Sequence, residues 1–184
     1  MTFLYILGAL VVVTVLLLII ALFLPNGYFI EKSAIIKKPC AFVMDKVADF
    51  HNHIQWNPWQ PKGAQSKPTI TGTSKRPGHK YSWKDSKIGT GSLTLRDIDE
   101  KHIHFDLEFI KPIRTIARDN WLFEDWGIGE TKVTWQNSGM LPYPIGRLMG
   151  FVIHKNLKRQ FAEGLINLKK FCELYDGTIP VRHF

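Results

Sequence analysis

An uncharged, apolar run from Phe3 to Leu24 limits the fold more than any other feature of the chain, with a tyrosine, a glycine and a threonine as its only interruptions. As a helix, these 22 residues would be about 33 Å long, enough to cross the hydrocarbon core of a bilayer. Pro25-Asn26-Gly27 follows and ends the helix. We therefore predict a transmembrane anchor over residues 1–25 and one globular domain over residues 27–184.

Two alternatives for the apolar run are weaker. A secretory signal peptide begins with basic residues, has an apolar run of about 7–15 residues and ends at a small-x-small cleavage site. Here no Lys or Arg precedes the run, and Leu22-Phe23-Leu24-Pro25 is a poor cleavage site. A helix buried in a soluble core is also disfavoured, because β-branched residues on every face leave no polar side for water.

The charge distribution predicts the orientation and the partners of the chain. Basic residues tend to stay on the cytoplasmic side of a span, and Lys32, Lys37 and Lys38 follow the run whereas none precedes it. We predict a single-pass membrane protein with a cytoplasmic domain. The formal charge of +8 favours anionic partners. With an anchor in the bilayer, anionic lipid headgroups are nearer partners than nucleic acid, which we do not predict to bind; the sequence names no protein partner.

Alternation with a period of two dominates the middle of the domain, from about Thr69 to Ser138, and predicts sequential strands with short turns. Such a pattern is typical of an antiparallel meander with one apolar face and one wet face. The apolar positions of the alternation are Tyr81, Trp83, Leu93, Leu95, Ile103, Phe105, Leu107, Phe109, Trp121, Phe123, Val133 and Trp135.

Segments with helical periodicity precede and follow these strands. A strand is predicted over Gly27–Ile36, then a helix after Pro39 and a short helix or turn at His51–Trp56. The last element is a long helix whose apolar stripe must bury itself on the apolar face of the sheet. The fold class is therefore α+β: a curved antiparallel sheet around a long C-terminal helix, preceded by one transmembrane helix. The stripe consists of Leu157, Phe161, Leu165, Leu168, Cys172 and Tyr175.

Six segments of the chain carry a resemblance to a known family: Ile30–Ile36, Trp56-Asn57-Pro58-Trp59, Leu107–Pro112, Gly129–Trp135, Leu148-Met149-Gly150 and Phe161–Lys170. With these segments, the order of elements resembles the helix-grip fold of the START-like SRPBCC superfamily, and most closely its polyketide cyclase/dehydrase and lipid-transport branch. The similarity covers roughly residues 28–175. It implies a cavity between sheet and long helix that often binds an apolar small molecule, and an N-terminal membrane helix also occurs in this branch. It implies no single reaction.

Aromatic side chains predicted to face the long helix are the candidate lining of such a cavity. The alternative is a well-packed core, and Trp56 and Trp59, beside a proline-rich loop, either frame the mouth of the cavity or cap the core. Asp119 shares the inward parity of Trp121, and a carboxylate in an apolar cavity must be paired or have a raised pKa. The candidate ligand-binding residues are Trp56, Trp59, Tyr81, Trp83, Phe105, Phe109, Asp119, Trp121, Trp135 and Phe161.

No catalytic residue, metal ligand or cofactor site is predicted. His102 and His104 alternate on a polar strand face with no obvious third ligand, so exposure to solvent is the simpler explanation. His51 and His53, in the helix or turn before Trp56, give an equally weak signal for a metal. Nucleophile elbows, phosphate loops and dinucleotide fingerprints are absent.

The sequence therefore predicts a membrane-tethered module that binds or transfers a hydrophobic small molecule or lipid. Two alternatives stay open. One is a cyclase- or hydratase-type enzyme that uses a buried acid–base pair drawn from Asp119, His79 and Tyr81. The other is a ligand-free structural domain whose interior is solid.

Overall fold

The computed structural model describes residues 1–59, 68–85, 89–111 and 114–174. Five helices and seven strands are found in these ranges, and apart from the short fourth helix their order is the one that the sequence predicts. They are α1 (Thr2–Phe23), β1 (Gly27–Ile36), α2 (Cys40–Ala48), α3 (Phe50–Trp56), β2 (Thr69–Thr71), β3 (Lys80–Asp85), β4 (Gly89–Ile98), β5 (His102–Lys111), β6 (Thr115–Gly127), β7 (Glu130–Met140), α4 (Ile145–Leu148) and α5 (Gly150–Leu174).

The seven strands form one antiparallel sheet in the order β1-β7-β6-β5-β4-β3-β2. The predicted meander is thus confirmed, and β1 joins it through β7. Register shifts interrupt β4 between Thr90 and Gly91 and again between Leu95 and Asp97. Such bulges bend a strand and increase its twist, and they contribute to the curvature of the sheet around α5.

The long helix α5 packs its predicted stripe against the concave face of this sheet. Phe161, Leu165, Leu168 and Cys172 are buried, and Leu157 is half-buried. The remaining stripe residue, Tyr175, lies outside the described residues, as do Pro61 and Gly63 of the proline-rich loop. The prediction of a curved sheet around a long C-terminal helix is confirmed.

Helices α2 and α3 fill one half of the concave face. Asp49 caps α3, because its carboxylate accepts a hydrogen bond from the backbone N–H of His51 at 3.0 Å. Phe50 and Trp56 of α3 are fully buried against the inward side chains of β5 and β6. The other half of the concave face, toward the end of β7, holds a cavity.

Almost all side chains of the N-terminal helix α1 are exposed, because the helix makes few contacts with the domain. Its length and its mean hydropathy of 3.2 fit a membrane span and equally a signal sequence. Ala21 is its one buried residue, at a contact with α4, a short helix that the sequence did not predict. Two hydrogen bonds join α1 to α4 and to the residues just before α4: Tyr143 Oη donates to Leu18 O at 3.1 Å, and Arg147 Nη1 donates to Ala21 O at 3.4 Å.

Candidate functional site

A cavity of about 400 Å³ lies between the concave face of the sheet and α5. Its wall is built from the start of β1, the inward positions of β3 to β7, the end of α3 with the residues that follow it, the segment that follows β7, and the first turns of α5. The volume falls within the range of small-molecule sites in proteins.

Seven of the ten candidate residues lie in the wall of this cavity, whereas Trp56, Phe105 and Trp121 lie in the filled half of the concave face. Strand parity assigns a residue to the correct face of the sheet. It does not show which part of that face α2 and α3 cover. Phe50 covers Phe105, for example, with ring centroids 5.5 Å apart. The seven wall residues are Trp59, Tyr81, Trp83, Phe109, Asp119, Trp135 and Phe161.

Trp135 forms the centre of the aromatic part of the wall. Its ring lies 4.1 Å from that of Phe161 and 5.8 Å from that of Trp59. Gly164 on α5 permits this packing, because a Cβ atom there would lie 2.8 Å from the Trp135 ring. The helix therefore packs directly on the indole ring of Trp135 in the cavity wall.

Asp119 is buried in the wall and accepts three hydrogen bonds. Trp135 Nε1 and Asn137 Nδ2 donate to its Oδ1 at 2.8 and 2.9 Å, and Trp121 Nε1 donates to its Oδ2 at 3.1 Å. Tyr28 Oη extends the network by donating to Asn137 Oδ1 at 2.8 Å. The inward orientation predicted for Asp119 is confirmed.

Burial opposes ionisation of this carboxyl group. Desolvation raises the pKa of Asp119 from 3.8 to about 6, although the hydrogen bonds from Asn137, Trp135 and Trp121 act in the opposite direction. Burial, and then the nearby charge of Asp119, raise the pKa of Tyr28 to about 12. The Tyr28 hydroxyl therefore remains a hydrogen-bond donor at every physiological pH.

Two donors in the wall have no partner among the described residues. Tyr81 Oη and Trp83 Nε1 are both buried, and their rings lie 6.1 Å apart on alternate positions of β3. Gly91 on β4 lets the Trp83 ring lie flat across that strand, because a Cβ atom there would approach the ring to 2.4 Å. Buried donors without partners are rare in folded proteins and indicate an acceptor from a bound molecule or water.

Tyr28, His53 and Asn137 also line the cavity, and sequence reasoning missed them. Desolvation lowers the pKa of His53 to about 3, so its imidazole is neutral. One signal was available for Tyr28: Gly139 lies opposite it, and a glycine within a strand marks a close approach by another group. Nothing in the sequence places His53, because α3 has only seven residues and its buried side is set by tertiary packing.

His79 does not pair with Asp119, so the acid–base pair suggested for these two residues is wrong. His79 Nε2 accepts a hydrogen bond from the backbone N–H of Phe50 at 3.3 Å, and the two rings stack at 4.7 Å. Its ring nitrogen, the carboxylate of Asp49 and a ring nitrogen of His51 all lie within 4.8 Å of one another. This cluster accompanies the cap of α3 and lies outside the cavity wall.

His102 and His104 stack on the outer face of the sheet, with ring centroids 5.9 Å apart. Each has its own partner: His102 Nδ1 lies 3.0 Å from Asp99 Oδ1, and His104 Nδ1 lies 2.8 Å from Asn120 Oδ1. The two rings lie apart from the cavity. Of the two cysteines, Cys172 is buried as predicted, whereas Cys40 is only half-buried.

Solved structures resemble the chain, whereas neither a protein-family model nor a curated protein sequence matches it. The Zhui aromatase/cyclase from a Streptomyces species matches with a TM-score of 0.61 and 14% identity, covering 83% of this chain and 99% of that chain. The Aha1 dimer from Colwellia psychrerythraea matches with a TM-score of 0.57 and 15% identity, covering 82% and 99%. A protein from Thermobifida fusca matches with a TM-score of 0.57 and 22% identity, covering 78% and 92%.

Identities this low show a shared fold and leave function open. The sheet order, the long helix on the concave face and the similarity to the aromatase/cyclase agree with one another. The chain therefore has the helix-grip, START-like fold that its sequence predicts.

Proposed function

We propose that the protein is a membrane-tethered module that binds or transfers a hydrophobic small molecule or lipid in the cavity between sheet and α5. The observation that carries this proposal is the cavity of about 400 Å³ with its largely apolar, aromatic wall. Unfilled apolar volume lowers the stability of a domain, so a cavity of this size has a cost that a bound ligand offsets.

The polar groups of the wall favour an uncharged ligand that carries an acceptor oxygen. Tyr81 Oη and Trp83 Nε1 are available as donors to that oxygen. Among the wall residues that the structure describes, no Lys or Arg is present, and Asp119 is the one acidic group. A ligand carboxylate would therefore be buried beside a carboxylate without a cation, which is strongly unfavourable.

Paired fluorescent probes test this preference on the full-length protein in detergent. We expect a pyrene-labelled fatty acid methyl ester to bind more tightly than the free acid of the same chain length at pH 8, where Asp119 is ionised. Tyr81→Phe should weaken binding of the ester by about fivefold, because it removes one hydrogen bond worth roughly 1 kcal/mol.

Tyr5→Phe is the matched control, because Tyr5 is exposed on α1 and distant in sequence from the cavity wall. It should leave both affinities unchanged. Failure of both probes to bind the wild type would contradict a ligand-binding role. Equal binding of acid and ester would contradict only the proposed preference for an uncharged ligand.

An enzyme of the cyclase or hydratase type is a second candidate, favoured by the raised pKa of Asp119 within the cavity. Its test is the chemical identity of ligand recovered from wild-type protein and from Asp119→Asn. Recovery of a chemically altered ligand from the wild type alone would support catalysis. Recovery of the same molecule from both would support binding without chemistry.

The membrane tether is also part of the proposal. Residues 1–25 form the anchor, and the domain begins at residue 27 and lies on the cytoplasmic side of the membrane. We expect that deletion of residues 1–25 leaves a folded domain whose free energy of unfolding falls by no more than about 2 kcal/mol, because two hydrogen bonds to α1 are lost. Chemical denaturation of both forms in one detergent measures the difference. Loss of cooperative unfolding in the truncated protein would show that α1 belongs to the folded unit.

A further inference from the structure

A cluster of exposed apolar side chains lies in and beside α4, between two segments that line the cavity. Phe151 is 81% exposed and Ile145 is 60% exposed, and both belong to the helical segment that follows β7. A soluble surface seldom carries so many large apolar residues together, and such a patch usually marks an interaction site. We name this patch the mouth face; it consists of Tyr143, Ile145, Met149, Phe151 and Val152.

The mouth face borders the opening of the cavity. Met140 is 59% exposed and also lines the cavity, so it marks the place where cavity and surface meet. Leu141 and Pro142, which precede the mouth face in sequence, are wall residues, and so are Ile153 and Leu157, which follow it on α5. A molecule that covers the mouth face is therefore adjacent to the entrance.

The contact with α1 fixes the depth of this surface relative to the span. Tyr143 Oη reaches the backbone carbonyl of Leu18, six residues before Leu24 at the end of the apolar run. At a rise of 1.5 Å per residue, that carbonyl lies about 9 Å from the end of the run along the helix axis. If α1 spans a bilayer, α4 lies at the depth where interfacial amphipathic helices bury their apolar side chains.

The charges of the segment complement an anionic membrane. Residues 131–162 contain no Asp or Glu, whereas Lys155, Lys158 and Arg159 follow the mouth face and are exposed. Arg147 lies over the Tyr143 ring, with its guanidinium carbon 5.6 Å from the ring centroid. Tyrosine and basic side chains are enriched where a protein meets lipid headgroups, and basic clusters bind anionic lipid.

We propose that the mouth face inserts into the headgroup region of an anionic phospholipid bilayer, the one that holds α1, so that the cavity opens toward lipid. This inference rests on the tether in the proposed function and adds a second membrane contact to it. A ligand then passes between bilayer and cavity without crossing water. The occupant is lipid and not a protein, because the surface lies directly beside α1, the proposed membrane anchor, with which α4 is in contact.

The test uses full-length protein in nanodiscs, with an environment-sensitive NBD label at Phe151→Cys in a background that lacks Cys40 and Cys172. Ile128→Cys is the matched control, because Ile128 is fully exposed in the turn between β6 and β7. Lipids carrying a nitroxide near the headgroup quench only labels that contact the bilayer. We expect a blue shift and loss of more than half of the emission at position 151, and no change at position 128.

A second measurement varies the lipid composition of the nanodiscs. Replacement of Lys155, Lys158 and Arg159 by glutamine should reduce quenching at position 151 in nanodiscs that contain phosphatidylserine and should have little effect in phosphatidylcholine alone. Equal quenching at positions 151 and 128 would overturn the inference, and so would a blue shift without quenching, which indicates a protein partner. Binding of the ester probe, measured in the same nanodiscs, reports separately on the proposed function.

Discussion

Replacing Asp119 with alanine should lower the free energy of unfolding by about 3–5 kcal/mol, because it leaves three buried donors without their shared acceptor. These donors are the indole N–H groups of Trp121 and Trp135 and the side-chain amide of Asn137. Two of them lie on β7 and one on β6, so the loss weakens the centre of the sheet. Urea denaturation of the full-length protein in one detergent measures the change.

Asp119→Asn is the informative control, because asparagine keeps the size of the side chain and one acceptor oxygen. It should cost about 1–2 kcal/mol, since the amide group that replaces Oδ2 faces the indole N–H of Trp121. If alanine and asparagine destabilise the protein equally and by less than that amount, Asp119 does not organise this part of the wall.

Comparison of the wild type with Asp119→Asn isolates the effect of Asp119 titration on stability. The folded-state pKa of about 6 lies above the unfolded value of 3.8, so the folded protein binds more protons between these values. This group therefore contributes stability that is present below about pH 4 and lost as pH rises through about 6. His53, with a pKa lowered from 6.5 to about 3, has the opposite dependence but is present in both proteins. We expect the wild-type advantage over Asp119→Asn to shrink between pH 4 and pH 6.5.

Phe161→Ala should cost less stability than Leu168→Ala, although phenylalanine is the larger side chain. Both residues lie on the buried stripe of α5, but only Phe161 lines the cavity, whereas Leu168 is completely buried in the filled half. We expect about 2–3 kcal/mol for Phe161→Ala and about 3–5 kcal/mol for Leu168→Ala, because a side chain beside empty volume has fewer neighbours to lose.

Ligand binding separates the two variants further. Phe161→Ala enlarges the cavity and removes the ring that packs on Trp135, so it should change the chain length of the ester that binds best. Leu168→Ala should leave that preference unchanged. A cost of 5 kcal/mol for Phe161→Ala, with no ligand bound to the wild type, would indicate a solid interior.

Much of the fold follows from local patterns in the sequence. The period-two segments from Tyr81 to Trp135 give the strands, and the stripe from Leu157 to Cys172 gives α5. Each pattern reflects a local rule: side chains alternate across a strand and repeat along one side of a helix. The inward orientation of Asp119 follows from the same rule, because it shares the parity of Trp121.

The position of the cavity along the sheet depends on long-range packing, and the sequence does not give it. Phe105 and Phe109 have the same parity on β5, yet Phe50 covers Phe105 whereas Phe109 borders the cavity. The difference arises because α2 and α3 reach only part of the concave face. The network of Tyr28, Asn137 and Asp119 is unpredicted for a similar reason, since it needs the register of β1 on β7 and of β7 on β6.

Native mass spectrometry of the full-length protein, released from detergent without delipidation, tests the central claim most directly. The wild type should carry one small hydrophobic molecule that leaves on collisional activation. Leu107→Trp, which fills the cavity from β5, should lose that molecule, whereas Ile116→Trp, an exposed position on β6, should retain it. Wild-type protein that carries no such molecule and takes up none of the ester probe would contradict the proposal that the cavity holds a ligand.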